Sequence, residues 1–321
     1  MCDAYVGAAT GAFKCVSFKD GKITNANTIA ELIPKETEIT AMCYGDTEQT
    51  EVIACQANRK IKLYNSITNL YSELFTVEGC EGKIVGLSML AADKIITAAS
   101  SGHLQIWTPE GKLLTSDNWN AGNDIFAFDK KPSSSSIIAT AGKENLLKVW
   151  DVETHQTTWS ARSVKHDKLN LRVPILDNAL RFLNENEIVT VTGTSHIRIY
   201  DPRTQRKPIH ELKYMDTPIT ALSLCHRENH IIASNTTGEM GLFDLRGGVK
   251  LLYKFRGFSG AVRSISAHPT EPFVISVGID RHIRLHNIDT KKMVKKIYAK
   301  VRMNCCLIKN QNECALVKVE K

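Results

Sequence analysis

No stretch of the 321-residue chain approaches the roughly 18 consecutive apolar residues of a transmembrane helix. The opening MCDAYVGAAT carries an acid, Asp3, where a secretory signal needs a basic segment, so the sequence reads as intracellular, with no membrane attachment. Cysteine spacing excludes two further classes. The nine cysteines contain no C-x-x-C pair, and Cys305 and Cys306 are adjacent, which suits neither a disulfide framework nor a zinc knuckle; the thiols read as reduced and mostly buried. Catalytic signatures are missing as well. There is no H-E-x-x-H, no G-x-S-x-G elbow, no G-x-G-x-x-G and no G-x-x-x-x-G-K-[ST]; residues 79–83 (GCEGK) are too short for the last pattern and read as a connecting loop. The ten histidines include His103, His196 and His282 beside turns and His226 and His268 beside strand ends, with no Cys/His cluster at metal spacing. No catalytic residue, no metal site and no cofactor are therefore expected.

What is present is an ordinary globular composition, 43% hydrophobic and 23% charged, with 41 Lys and Arg against 34 Asp and Glu. A net charge of +7 is too mild to name a nucleic-acid partner. At roughly 150 residues per domain the length suggests two domains, unless a repeat architecture intervenes. Repeats do intervene. Six segments read alike: IKLYNS, LQIWTP, LKVWDV, IRIYDP, MGLFDL and IRLHNI, anchored on Tyr64, Trp107, Trp150, Tyr200, Phe243 and His286. The anchors lie 43, 43, 50, 43 and 43 residues apart. Apolar residues one and three positions before each anchor, with a polar residue between them in five of the six (Lys62, Gln105, Lys148, Arg198, Arg284), mark a half-buried strand. A second strand is marked upstream by the pairs Val52-Ile53, Ile95-Ile96, Ile137-Ile138, Ile188-Val189, Ile231-Ile232 and Val274-Ile275, the third of which sits one residue early. Polar turn formers at Asn58, Ser101, Glu144, Thr194, Thr237 and Asp280 join the two strands into a tight hairpin.

A unit of about 43 residues with several short strands and a closing aromatic has the period of a β-propeller blade. Trp150-Asp151 is a literal WD dipeptide, Tyr200-Asp201 and Phe243-Asp244 are common variants of it, and the sequence around His268 and Asp280 resembles a whole WD40 repeat. The expected fold is all-β: a seven-bladed WD40 propeller over residues 1–310, with a short C-terminal segment at 311–321. The seventh blade is split. Aligning Gly11 with Gly102 makes the N-terminus supply two inner strands that lack a first partner, and MNCCLI (residues 303–308) reads as that partner, closing the ring. The segment ECALVKV beyond it has no assigned place.

If the strands a to d of each blade run antiparallel outward from the axis, the d-to-a and b-to-c connections share one face. The 50-residue interval places seven extra residues there, in an insert, VKHDKLNLRVPI (residues 164–175). One reading is a strap whose Leu169, Leu171 and Val173 pack on the propeller while its charges are solvated; the other is a partner-docking segment. Trp107 and Trp150 read as core or blade-edge aromatics, and Asp280 and Arg281 as turn and packing residues that could also touch a partner.

The insert, together with IRIYDPRTQRKP, MGLFDLRGG, KFRGFSGAVRSISAHP and VGIDRHIRLH, resembles the corresponding stretches, in the same order, of the nucleolar WD40 ribosome-assembly factors, the family represented by WD repeat-containing protein 74 and the fungal NOP-seven-associated factor. The resemblance spans most of the chain. It implies a non-enzymatic scaffold of nucleus and nucleolus, bound as a monomer to the precursor of the large (60S) ribosomal subunit, touching ribosomal RNA and other assembly factors and released by an AAA-type ATPase. Partner binding is then expected in the insert at Lys165, His166, Lys168, Leu169, Leu171, Arg172 and Pro174. Further RNA or partner contacts are expected at Arg203, Arg206, Lys207, Arg246, Arg256, Phe258, Arg263, Arg281, Lys291, Lys292, Lys295, Lys296, Lys300 and Arg302.

Charge distribution is compatible with this. Residues 250–309 carry 13 Lys and Arg against three acids, and the seven basic residues from Lys291 to Lys309 read as a local positive surface for phosphates. A plainer reading makes Lys295 and Lys296 guards of an outer sheet edge. The alternative function is a generic WD40 adaptor that takes short peptide motifs at the loops around the axis, as in ubiquitin ligation or chromatin recognition.

Overall fold

The computed structural model describes residues 2–91, 93–115, 119–166 and 169–310. The strands form seven sheets, each strand antiparallel to its neighbour. Blades 1 to 6 follow chain order, beginning with strands Ile39–Tyr44, Ile84–Ala91, Ile125–Lys130, Asp177–Phe182, Ile219–Leu224 and Val262–Ala267. Blade 7 is the closing one. Its first strand, Met303–Ile308, pairs with Ala4–Ala8, which continues into Phe13–Ser17 and Lys22–Asn25. Tyr44 locks the join by donating its hydroxyl to the Ile308 carbonyl at 2.5 Å. The expected ring, with its shared seventh blade, is the observed one.

The anchor hairpins have one register. Val52 pairs with Tyr64, Ile95 with Trp107, Ile138 with Trp150, Ile188 with Tyr200, Ile231 with Phe243 and Val274 with His286. The early position of the third apolar pair is thus a matter of side chains and not of hairpin length. Trp107 and Trp150 are buried, and each indole N–H is satisfied by a threonine of the neighbouring strand, Thr97 at 3.2 Å and Thr140 at 2.9 Å. Seven apolar clusters form, each drawn mainly from two successive blades, so the core is a ring of seven seams. Burial at every seam is what holds neighbouring blades together.

Blade 2 departs from the expectation of four strands. Among the described residues it has three, ending at Leu104–Trp107. Its outer edge is covered by an irregular run in which the Leu114 amide donates to the Ile106 carbonyl and the Thr115 hydroxyl accepts from the Ile106 amide. Gly111, at φ +85°, turns the chain there.

The first pairing of every blade carries a bulge at the second residue of its inner strand: Thr40, Val85, Phe126, Asn178, Thr220, Arg263 and Asn304. A bulge re-aims a side chain. These seven residues, with Glu38 and Lys83, line one cavity of about 410 Å3 at the axis, on the face that bears the d-to-a and b-to-c loops. Asn178, Thr220 and Asn304 each donate to a carbonyl of the next blade, Ile219, Val262 and Ile39 respectively, and tie the rim of this mouth.

Candidate functional site

The insert rises from the seam of blades 3 and 4. Strand Gln156–Ser160 ends before the insert, and Ala161 is buried with its amide bonded to the Leu147 carbonyl. The chain then meets the c-to-d loop of blade 4: the Arg162 amide donates to the Arg206 carbonyl at 2.8 Å, and Arg206 Nε donates to the Ser160 carbonyl at 2.6 Å. The other foot is the buried Ile175, whose carbonyl accepts from the Glu144 amide at 2.9 Å, followed by a bridge between Leu176 and Lys143. Between the feet Arg172 pairs with Glu144 at 2.5 Å, and His166 Nδ1 lies 3.2 Å from the Asn170 side-chain oxygen. Both pairs are exposed, so they orient the strap more than they stabilise it.

Leu169 and Leu171 are 78% and 59% exposed, and only Val173 is half-buried. Their exposure departs from the reading in which both leucines pack on the propeller: of the insert, it is Ala161 that joins the apolar seam of blades 3 and 4, with Ile175 buried at the other foot. Lys165, Arg172 and Pro174 are exposed beside them, and Lys168 lies outside the described residues. Covering one such leucine contributes about 1.5–3 kcal/mol. Arg206 and Lys207 were set apart from the insert in the sequence, yet the c-to-d loop brings them to its foot, next to Arg162, a neighbour that no local pattern announces.

The remaining basic residues do not form one surface, because chain direction separates them. Arg256, Arg281, Lys300 and Arg302 stand on the face of the axial mouth, in the loop before blade 6, its b-to-c turn and the loop after it; Arg263 lines the mouth itself. Lys291 and Lys292 sit in the c-to-d turn at the opposite face, as do Arg203 and Arg246 in the turns of blades 4 and 5. Lys295 and Lys296 lie on the outer strand Met293–Tyr298. Lys309 is buried and leaves the expected surface altogether. Arg203 and Arg246 each clasp the aspartate two residues earlier, Asp201 at 3.0 Å and Asp244 at 2.8 Å, and hold both carboxyls below the ordinary range.

Beneath the loop before blade 6 lies a buried polar group. Arg284, 1% exposed, pairs with Asp280 and donates Nε to the Gly257 carbonyl at 2.9 Å. Burial works to raise the Asp280 carboxyl, but the bond and charge of Arg284 outweigh it, so Asp280 titrates below its usual range. The Arg284 guanidinium lies 4.8 Å from the centre of the Phe258 ring, which also stacks on His286 at 5.5 Å. Phe258, expected as a contact residue, is thus half-buried packing that shapes the loop from which Arg256 projects.

Among the described residues eight cysteines are free, and no three His, Cys, Asp or Glu side chains stand together as a metal site. No helix among them is long and apolar enough to cross a membrane.

Residues 249–287, the last strand of blade 5 and most of blade 6, match the family model described as WD domain, G-beta repeat. WD repeat-containing protein 74 of Homo sapiens is 33% identical over 96% of this chain and 81% of its own length, and that of Bos taurus gives the same figures. A fungal protein named ribosome biogenesis protein NSA1, from Meyerozyma guilliermondii, is 26% identical over 83% of this chain and 77% of its own. An identity of 33% over 96% of a chain that folds as one seven-bladed WD40 propeller places it in the family of WD repeat-containing protein 74.

Proposed function

We propose that this protein is a non-catalytic assembly factor of the large ribosomal subunit. It works in the nucleolus as one copy on the precursor particle, docks on neighbouring assembly proteins through the strap at residues 164–175, meets ribosomal RNA with basic side chains, and is removed by an AAA-type ATPase. The carrying observation is the strap: both feet are fixed in the blade 3 and 4 seam, while Leu169 and Leu171 stand out among Lys165, His166 and Arg172. Apolar anchors inside a polar rim are what a protein partner covers. The name of the fungal relatives, ribosome biogenesis protein NSA1, supports the biological setting.

The test is affinity purification of the tagged chain followed by gradient sedimentation. Large-subunit precursor RNA and assembly proteins are expected with it, and replacement of Lys165, His166 and Arg172 by alanine is expected to release it from the particle. Recovery with neither RNA precursors nor assembly proteins refutes the proposal. A second reading, a peptide adaptor, is favoured by Phe126, 41% exposed in the axial mouth, whose wall also carries Arg263. It requires that changes at Phe126 and Arg263, and not in the strap, abolish association.

A further inference from the structure

Blade 6 carries a feature that the basic-residue pattern alone does not show. Tyr298, the last residue of the outer strand Met293–Tyr298, is 54% exposed. Strand alternation explains why: Ile297 turns into the blade 6 and 7 seam, so Lys296 and Tyr298 turn away from it. The ring is not loose. Tyr298 pairs across the sheet with His282, and the two rings lie 5.2 Å apart, tilted by 50°. His282 is itself fixed by its Nδ1–H, which donates to the Asp280 carbonyl at 2.8 Å.

Three loops bring cations to the same end of the blade, and main-chain bonds hold them side by side. The Ile279 amide donates to Ala261, joining the b-to-c turn to the loop before the blade, and the Ala299 amide donates to Arg281, joining the turn to the loop after it. Arg302 accepts from Ala9 of blade 7. Arg256, Arg281, Lys300 and Arg302 are all exposed, and the sole acid in these loops, Asp280, is buried against Arg284. Lys14 of blade 7 is buried, and burial first, with the charge of Lys300 in addition, holds its ammonium pKa below the usual range.

We infer that the outer end of blade 6 is a platform for single-stranded RNA, with a base stacked on Tyr298 and the flanking phosphates on Arg281, Lys300 and Arg302. An aromatic face beside a track of cations is what an unpaired, splayed nucleotide needs, whereas a duplex hides its base faces. An acidic protein segment would use the cations and have no use for the exposed ring. The inference refines the RNA contact proposed above, and it is tested apart from particle association.

The experiment is fluorescence anisotropy with the whole chain and a labelled 12-nucleotide RNA of mixed sequence, with polyglutamate as the competing polyanion. Tyr298→Ala is expected to weaken RNA binding about tenfold and Tyr298→Phe to restore it, since one stacked base accounts for a change of that size. Removing both Lys300 and Arg302 is expected to flatten the plot of log affinity against log salt by about 1.4, at about 0.7 per phosphate on a single strand. Absence of RNA binding, an unchanged affinity in Tyr298→Ala, or an equal loss for polyglutamate in Tyr298→Ala each overturns the platform. None of these bears on whether the strap variant leaves the precursor particle, so the two proposals fail separately.

Discussion

His286 stands in blade 6 where the other hairpins place Tyr64, Trp107, Trp150, Tyr200 and Phe243, and it is 1% exposed. Its Nε2 lies 3.3 Å from the Arg256 carbonyl, which can only accept, so Nε2 carries the proton of the neutral ring; Nδ1 is buried with no hydrogen-bond partner. Phe255 and Phe258 pack on the ring, and the charged neighbour on its own strand is Arg284, itself held by Asp280. Burial first, and the Arg284 charge in addition, push the imidazole pKa down to about 4 from 6.5. A folded pKa below the unfolded one means that the unfolded chain binds the proton more readily, so stability is full above pH 6.5 and is lost as the pH falls towards 4. The loss amounts to about 2 kcal/mol by pH 5 and about 3 kcal/mol once the window is crossed. His286→Phe supplies the aromatic of the other blades and removes the proton. Urea unfolding followed by tryptophan fluorescence at pH 7.5, 6 and 5 should show the native chain losing about 2 kcal/mol more than the variant. Equal acid losses in the two proteins would refute the assignment of the acid-sensitive group to this anchor.

Arg284→Met strands the buried Asp280 carboxylate and is expected to cost about 3–5 kcal/mol, read as a fall of roughly 5 °C or more in Tm; a change under 1 °C contradicts the pairing. An ideal Cβ on Gly142 would stand 1.9 Å from the Asp124 carbonyl oxygen, so Gly142→Ala should destabilise by about 1–3 kcal/mol in urea unfolding, while Gly247→Ala, with open space around its Cβ, meets only the strain of φ +65° and should cost about 1 kcal/mol. Leu169→Asp with Leu171→Asp should leave unfolding within about 0.5 kcal/mol of the parent and still abolish sedimentation with the precursor particle. If that variant unfolds early, the leucines belong to the core and the strap is not a docking segment.

The anchors show how much of the fold was legible. Their spacing and the alternation before them define the hairpins, and MNCCLI was recognisable as an orphan strand because every other blade supplies its own first strand. The split of the basic residues onto two faces and an edge follows from alternating chain direction, once the strands are placed. Tyr298 was within reach of the same alternation, since Ile297 and Tyr298 must point to opposite sides. The junction of Arg206 with Arg162 was not, because it joins two loops 44 residues apart through main-chain atoms that any residue carries.

Sequence alone determined the number of blades, the hairpin register and the site of closure, because each depends on a local period that burial enforces in every repeat. Tertiary structure alone decided what faces solvent in the insert, which cations share a surface, and the sevenfold bulge that lines the axial mouth. Those outcomes depend on how much apolar surface the neighbouring blades had already covered and on where loops distant in the chain come to rest.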